Sequence, residues 1–243
     1  MNLVIDIGNT RAKAGYYRKG SLIASAVLED FTPQTASAWI EKYPVKRCII
    51  SSVRQNEEPL TAMLKEKVSF FIHLSHTTPL PFRNLYRTPE SLGKDRIAAV
   101  AGALRHYPGS NLLVIDTGTA ITYDLITCEA DYIGGNISPG LITRFRALHD
   151  YTSRLPLLEK DDCLSGLGTD TRSAIIAGVQ SGILYEISGY IDFYSKQYAD
   201  LMIILTGGDA DFFVNKLKKT IFVIPNLVLD GLDFILNYNA QQV

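Results

Sequence analysis

An octet near the N-terminus returns in altered form 110 residues further on. Leu3-Val4-Ile5-Asp6-Ile7-Gly8-Asn9-Thr10 is echoed by Leu113-Val114-Ile115-Asp116-Thr117-Gly118-Thr119-Ala120, with Leu, Val, Ile, Asp and Gly kept within the first six positions. Each copy is a short apolar run suited to a buried strand, closed by Asp-x-Gly, which suits a tight turn. A second strand-like stretch follows each turn, at 12–18 and 121–126. Two such strand–turn–strand units half a chain apart predict a duplicated domain, residues 1–110 and 111–243, with a cleft between the halves.

Between these anchors, strands and helices alternate. Residues 21–28, 47–52 and 70–74 read as strands, with Lys19-Gly20 as the hairpin turn before the first. Residues 33–43 and 57–68 read as helices, 77–89 as an irregular loop rich in proline, and 95–106 as an Ala-rich helix stopped by Pro108-Gly109. In the second half, Ser138-Pro139 reads as the N-cap and first residue of a helix to about 152. Residues 171–198 read as one long helix, with Gly178 and Gly182 on one face for close packing in this fold or against a second copy. A strand at 201–205 ends in Thr206-Gly207-Gly208-Asp209, and a strand at 221–224 and a helix at 229–238 close the chain. The class is α/β with mixed sheets.

Composition limits the function. A net charge of −1, with 20% charged and 47% apolar residues, gives no basic surface for nucleic acid or an acidic membrane. The cysteines Cys48, Cys128 and Cys163 are scattered without a CxxC, which fits a reducing compartment and neither a disulfide framework nor a zinc site. The first residues reach Asp6 without a basic segment, unlike a signal peptide. No contiguous apolar run approaches the roughly 20 residues of a membrane span. These features predict a cytoplasmic protein without a membrane or nucleic-acid partner.

Three turns at strand ends carry the candidate chemistry: Asp6-Ile7-Gly8-Asn9-Thr10, Asp116-Thr117-Gly118-Thr119 and Thr206-Gly207-Gly208. Glycine lets backbone N–H groups come close to phosphate oxygens. A strand-end carboxylate suits Mg²⁺, which keeps most of its waters. The set predicts a nucleotide cleft, although neither a P-loop nor a GxGxxG fingerprint is present. His73-Leu74-Ser75-His76 has zinc-like spacing without supporting cysteines and reads as a strand-end pair. Gly93-Lys94-Asp95-Arg96 opens a helix, where Asp95 suits a general base and Arg96 a carboxylate clamp. On its own residues, the same tetrapeptide is read as a solvated helix start.

The ordered motifs extend the reading. Asp6-x-Gly8-Asn9-Thr10, Gly93-x-Asp95-Arg96 and Asp116-x-Gly118-Thr119-Ala120-x-Thr122 are followed by Gly134-Gly135-x-Ile137-x-Pro139-Gly140, Ala147-Leu148 and Leu155-Pro156. This succession resembles type III pantothenate kinases, of the acetate kinase, sugar kinase, Hsp70 and actin superfamily. The resemblance implies two ribonuclease H-like, actin-like halves and ATP-dependent phosphorylation of pantothenate to 4′-phosphopantothenate, opening coenzyme A synthesis. Alternatives are an accessory regulator with weak catalysis and a superfamily kinase for another small alcohol.

Residue by residue, the resemblance assigns ATP binding to Asp6, Ile7, Gly8, Asn9, Thr10, Arg11, Ala12, Lys13 and Thr119. Asp6 organises Mg²⁺ and Asp116 holds a monovalent cation, K⁺ or NH₄⁺. Asp95 is the general base, and Tyr86, Gly93, Lys94, Asp95, Arg96 and Thr171 bind pantothenate. It also implies a homodimer.

Overall fold

The computed structural model describes residues 1–8, 11–54, 58–162 and 166–242. The chain divides into two units: Met1–Gly109 with Ile126–Ile133 and Asn226–Val243, and Ser110–Leu125 with Gly134–Pro225.

In the first unit, β1 (Asn2–Ile7) is central to a sheet ordered β3-β2-β1-β4-β5. Strands β2 (Ala12–Arg18) and β3 (Ser21–Leu28) form an antiparallel meander with β1. β4 (Arg47–Ser52) and β5 (Phe70–His73) join in parallel. Lys19 and Gly20 have φ of 48° and 82°, the left-handed pair that the hairpin turn requires. Helices α1 (Pro33–Lys42) and α2 (Glu58–Lys67) make the parallel crossovers. Thr32 caps α1 by accepting from the Thr35 N–H, and Pro33 fills the first turn. Leu3, Ile5 and Ile7 of β1 pack with Tyr16, Cys48, Ile50, Leu60 and Leu64 in one core.

Helices α3 (Lys94–His106) and α8 (Leu227–Ala240) cross at very short range. A Cβ on Gly231 would fall 1.7 Å from the Ala98 carbonyl oxygen, and one on Gly102 would fall 2.2 Å from that of Leu227. A buried polar network ties this pair to the sheet. Asn2 donates to Asp233 at 2.7 Å, and Arg105 pairs with Asp233 at 3.1 Å. The C-terminal helix therefore belongs with the first unit, whereas the sequence division at 110/111 places it in the second half. Residues 126–133 are displaced from that division in the same direction.

The second unit carries β7 (Leu112–Thr117), β10 (Met202–Thr206) and β11 (Phe222–Val223), with β8 (Ala120–Ile126) up to residue 125 and β9 (Asp131–Pro139) from residue 134. Together with β6 (Arg83–Asn84) these strands make a six-stranded sheet ordered β11-β10-β7-β8-β9-β6. β7 repeats the burial pattern of β1 position by position, with Asp116 standing where Asp6 stands. The core of this unit lies between the sheet and the helical run Thr171–Ser195, through Ile175, Val179, Ile183, Ile187 and Ile191. That run comprises α5 (Thr171–Ile176), a π-helical turn (Ala177–Ser181) and α6 (Gly182–Ser195), and it ends before the expected residue 198. By length and composition the run could cross a bilayer, which a search for contiguous apolar residues overlooks. Half of its most apolar window is buried in the unit, as in a core helix.

Other local differences have physical causes. β9 was not expected, because its two glycines obscure the strand alternation. Ser138 and Pro139 end that strand, and α4 (Leu141–Asp150) starts after Gly140, whose N–H donates to the Thr119 carbonyl. The proline-rich loop contains a two-residue strand, β6 (Arg83–Asn84), paired in parallel with β9, and it leads into a 3₁₀ turn at Pro89–Ser91. Gly178 and Gly182 do not pack within the chain, since a Cβ at either meets open space. Glu57, expected in α2, lies outside the described residues.

The helix crossing yields a test. Alanine outperforms glycine in a helix interior by about 1 kcal/mol, so propensity alone favours Gly231→Ala. The clash with Ala98 should reverse that sign and destabilise the protein by roughly 1–3 kcal/mol, read as a lower urea midpoint. An unchanged or higher midpoint would mean that the two backbones do not approach this closely.

Candidate active site

In the first unit the site grows from strand pairing. Asp6 stands opposite Lys13 on β2 and Ser51 on β4, so the three side chains share one face at the end of the sheet. The chain then turns at Gly8, whose N–H donates to the Arg11 carbonyl at 3.0 Å. Arg54 holds this turn from outside: its Nε donates to the Gly8 carbonyl at 3.0 Å and its Nη1 meets Asp30 at 2.7 Å. Ile7 and Ala12 are buried strand residues beside the turn, and Arg11 is exposed. Asn9 and Thr10 lie outside the described residues.

The first turn of α3 brings Gly93, Lys94, Asp95 and Arg96 to the same end of the unit. Asp95 folds back, its Oδ1 accepting the Arg96 N–H at 2.8 Å. A side chain at position 93 would collide with that carboxylate, because a Cβ would lie 2.5 Å from Oδ1. This accounts for glycine in the motif. Lys94 Nζ donates to the Ser52 carbonyl at 3.2 Å and so ties the helix start to the end of β4. Burial pushes the Asp6 carboxyl up to about 6, and the Asp95 charge pushes it in the same direction. Ser51 and Lys13 oppose the rise without cancelling it. A half-buried carboxylate beside a second one suits a small divalent cation, whose charge relieves both the desolvation and the repulsion.

Arg96 is not the solvated residue that the bare tetrapeptide suggests, being only 4% exposed. Its Nη2 donates to the Tyr132 hydroxyl at 3.0 Å, and its Cζ lies 5.7 Å from the centre of the Tyr86 ring. Tyr86 and Tyr132 are themselves stacked, with centroids 6.2 Å apart and planes 26° from parallel. The structure thus brings Tyr86 into contact with Arg96, two residues that the resemblance assigns separately to pantothenate.

In the second unit, the turn after β7 is closed by the Gly118 N–H donating to the Ala120 carbonyl. The Thr119 carbonyl accepts from the Gly140 N–H at 3.0 Å and from the Thr143 hydroxyl at 2.7 Å. Gly140 is required there, since its Cβ would lie 2.0 Å from the Gly118 carbonyl oxygen. The Thr206-Gly207-Gly208 turn folds onto the same strand end. Gly207 has φ of +100°, and a Cβ on it would lie 2.5 Å from Asp116 Oδ1. Two of the three strand-end turns therefore converge on Asp116. Thr171 is exposed at the start of α5, where Asp170 and Ser173 form a reciprocal cap. Among the described residues, no group of three or more His, Cys, Asp or Glu side chains could hold a metal. A cation here would rest on one or two carboxylates plus substrate oxygens.

Sequence reasoning missed Ser51, Arg54 and Tyr132. Ser51 and Arg54 have no local signal, because strand register and turn packing place them. Tyr132 had one, since it lies two residues before the Gly134-Gly135 motif.

Residues 2–193 match the family model described as type III pantothenate kinase. A type III pantothenate kinase of Bacteroides fragilis is 45% identical over 243 residues, covering 100% of both chains. Among solved structures, one from Campylobacter jejuni, whose description places it in the Baf family of transcriptional activators, aligns with a TM-score of 0.67 at 23% identity, covering 98% of this chain and 99% of that one. A ROK family glucokinase from Streptomyces griseus aligns with a TM-score of 0.52 at 13% identity, covering 99% of each chain. At those identities the two structures speak for the fold alone, the duplicated actin-like architecture. Sequence similarity along the whole chain is decisive for the family: the chain is a member of the type III pantothenate kinases.

Proposed function

We propose that this chain transfers the γ-phosphoryl group of ATP to the primary hydroxyl of pantothenate, giving 4′-phosphopantothenate. The observation that carries this reading is the first turn of α3, where a carboxylate within electrostatic reach of the half-buried Asp6 adjoins a buried guanidinium. Pantothenate has a hydroxyl at one end and a carboxylate at the other. Asp95 orients and deprotonates the hydroxyl, while Arg96 pairs with the carboxylate in a two-point fork. A neutral sugar would give Arg96 no such partner, which disfavours another small alcohol as the acceptor.

Phosphoryl transfer needs positioning and neutralisation of charge more than covalent participation. The residues assigned to the first phosphate loop are Asp6, Ile7, Gly8, Asn9, Thr10, Arg11 and Ala12, and Lys13 adds positive charge. Asp6 is the residue suited to Mg²⁺, which when bound neutralises phosphate charge. Asp116, under the Gly207 turn, is the candidate holder of K⁺ or NH₄⁺, and Thr119 is the candidate ATP contact in the second unit. Tyr86, Gly93, Lys94 and Thr171 complete the pantothenate set. The exposed Gly178, Tyr185, Gly189 and Phe193 along the long helix support a homodimer. The expected setting is the cytoplasm, without nucleic-acid or membrane partners.

Two substitutions test these roles in a coupled ADP-release assay. Asp95→Asn removes the base at constant size and should lower kcat by about 10²- to 10⁴-fold, with KM for ATP within a few-fold of wild type. Activity close to wild type would place the base elsewhere. Arg96→Lys keeps the charge but loses the planar fork, so KM for pantothenate should rise at least about tenfold while KM for ATP stays put. Equal handling of pantothenate by both proteins would remove Arg96 from the substrate site.

A further inference from the structure

We propose that Arg54 is a positioning residue for the nucleotide: by holding the Gly8 carbonyl, its guanidinium keeps the first phosphate turn in the form that receives ATP. The proposal rests on the reading of the Gly8 turn as a phosphate turn and adds the group that holds it.

Sheet order explains how Arg54 reaches this turn. β1, β3 and β4 run in one direction, since β3 is antiparallel to β2, β2 is antiparallel to β1, and β4 is parallel to β1. Their C-terminal ends therefore share one edge, the edge at which open α/β sheets bind ligands. The β1–β4 ladder runs one step beyond the strands, with the Val53 N–H donating to the Ile7 carbonyl at 3.1 Å. That step brings the next residue of each chain segment, Arg54 and Gly8, side by side. The Arg54 main chain is held there, its N–H donating to Ser52 Oγ at 3.0 Å. Its guanidinium then bridges two connections, with Nε on the Gly8 carbonyl at 3.0 Å and Nη1 on Asp30 Oδ1 at 2.7 Å. Asp30 follows β3, and the same Oδ1 accepts the N–H of Phe31, a core residue, at 2.9 Å. One side chain thus ties the turn after β1 to the anchored end of β3.

Stability does not explain this arrangement. The Arg54 and Asp30 side chains are 31% and 60% exposed, and an ion pair so placed contributes little to folding. The effect is local to the turn. Glycine restricts its backbone least, so the Gly8 carbonyl can swing between orientations at small cost. A phosphate turn works by presenting N–H groups, and a carbonyl oxygen turned toward phosphate repels it. The Nε bond fixes the Gly8 carbonyl on the Arg54 side, and a turn ordered beforehand spends less binding energy on ordering itself. The planar guanidinium meets two acceptors at once, which a lysine ammonium on a flexible stem does not reproduce. An arginine acting on phosphate as a bare charge would, in contrast, be replaced largely by lysine.

The test measures equilibrium binding of Mg·ATP by calorimetry without pantothenate, together with kcat and KM for both substrates. The variants are Arg54→Ala, Arg54→Lys, Asp30→Asn and the Arg54→Ala/Asp30→Asn double. Loss of a hydrogen bond from a charged donor predicts that Kd and KM for ATP rise about five- to thirtyfold in Arg54→Ala. In that variant kcat and KM for pantothenate should change less than about twofold, with the urea midpoint close to wild type. Arg54→Lys should weaken ATP binding nearly as much as Arg54→Ala. Asp30→Asn should weaken it about two- to fivefold, and have no further effect once Arg54 is alanine. Unchanged ATP affinity in Arg54→Ala would overturn the proposal in favour of an idle surface pair. Near-normal affinity in Arg54→Lys would replace it with a direct charge contact. Parallel rises in KM for both substrates, or a full Asp30→Asn effect in the Arg54→Ala background, would also overturn it. A wild type that binds ATP without phosphorylating pantothenate would contradict the proposed function instead, while the binding series still decides for or against Arg54.

Discussion

Two carboxylates in the first unit, Asp6 and Asp95, are held near enough to repel each other, and much of that unit is arranged to keep them there. Asp6 cannot retreat, because β1 is paired on both sides and its apolar residues are locked into the core. Asp95 is fixed by its helix, which is pressed against α8 through Gly102 and Gly231 and tied to β4 by Lys94. The result is a carboxyl raised from 3.8 to about 6, with burial as the larger cause and Asp95 as the second. An acid whose pKa is raised on folding takes up a proton on folding. Its contribution is most favourable at low pH and is lost as pH rises through the interval between the unfolded and folded values, up to roughly 3 kcal/mol for a shift of this size. At neutral pH the ligand-free protein thus carries electrostatic stress at the place where a cation and phosphates are proposed to bind.

The duplicated octet shows how one local motif diverges through its surroundings. β1 and β7 share a burial pattern and place Asp6 and Asp116 at the same position. Asp6 faces Lys13 and Ser51 across the strands and feels Asp95 from a helix start. Asp116 instead lies under the Gly207 turn, close to the Thr117 backbone. The first environment suits a compact divalent ion beside a reacting group. The second is closed over by the glycine turn. Identical strand-end aspartates therefore carry different proposed tasks, and the difference lies in residues that the repeat does not contain.

Much of the architecture was legible in the sequence because it is local. Short strand-like runs bounded by turn residues located β2, β3 and β4, the Lys19-Gly20 turn, and the helix that begins at the Gly-x-Asp-Arg motif. Two of the misreadings share one cause, long-range packing. Nothing near residue 227 reveals that α8 returns to the first unit, since that depends on glycines at 102 and 231 meeting in space. Ser138-Pro139 resembled a helix start, yet Gly140 takes that role because only glycine can lie against the Gly118 carbonyl. In the candidate site, Asp6, Asp95 and Arg96 were found from motif order. The burial of Arg96 and its partner Tyr132 were not, because the partner arrives on a strand whose glycines hid it.

The claim on which the account turns is that Asp6 is largely desolvated and within electrostatic reach of Asp95. Carbon-13 NMR titration of the Asp6 carboxyl in the ligand-free protein measures this directly, in the wild type and in Asp95→Asn. The expected midpoint is about 6 in the wild type. In the variant it should fall but stay above 3.8, since burial remains. A wild-type midpoint at or below 3.8, or one that ignores the loss of the Asp95 charge, would contradict the account.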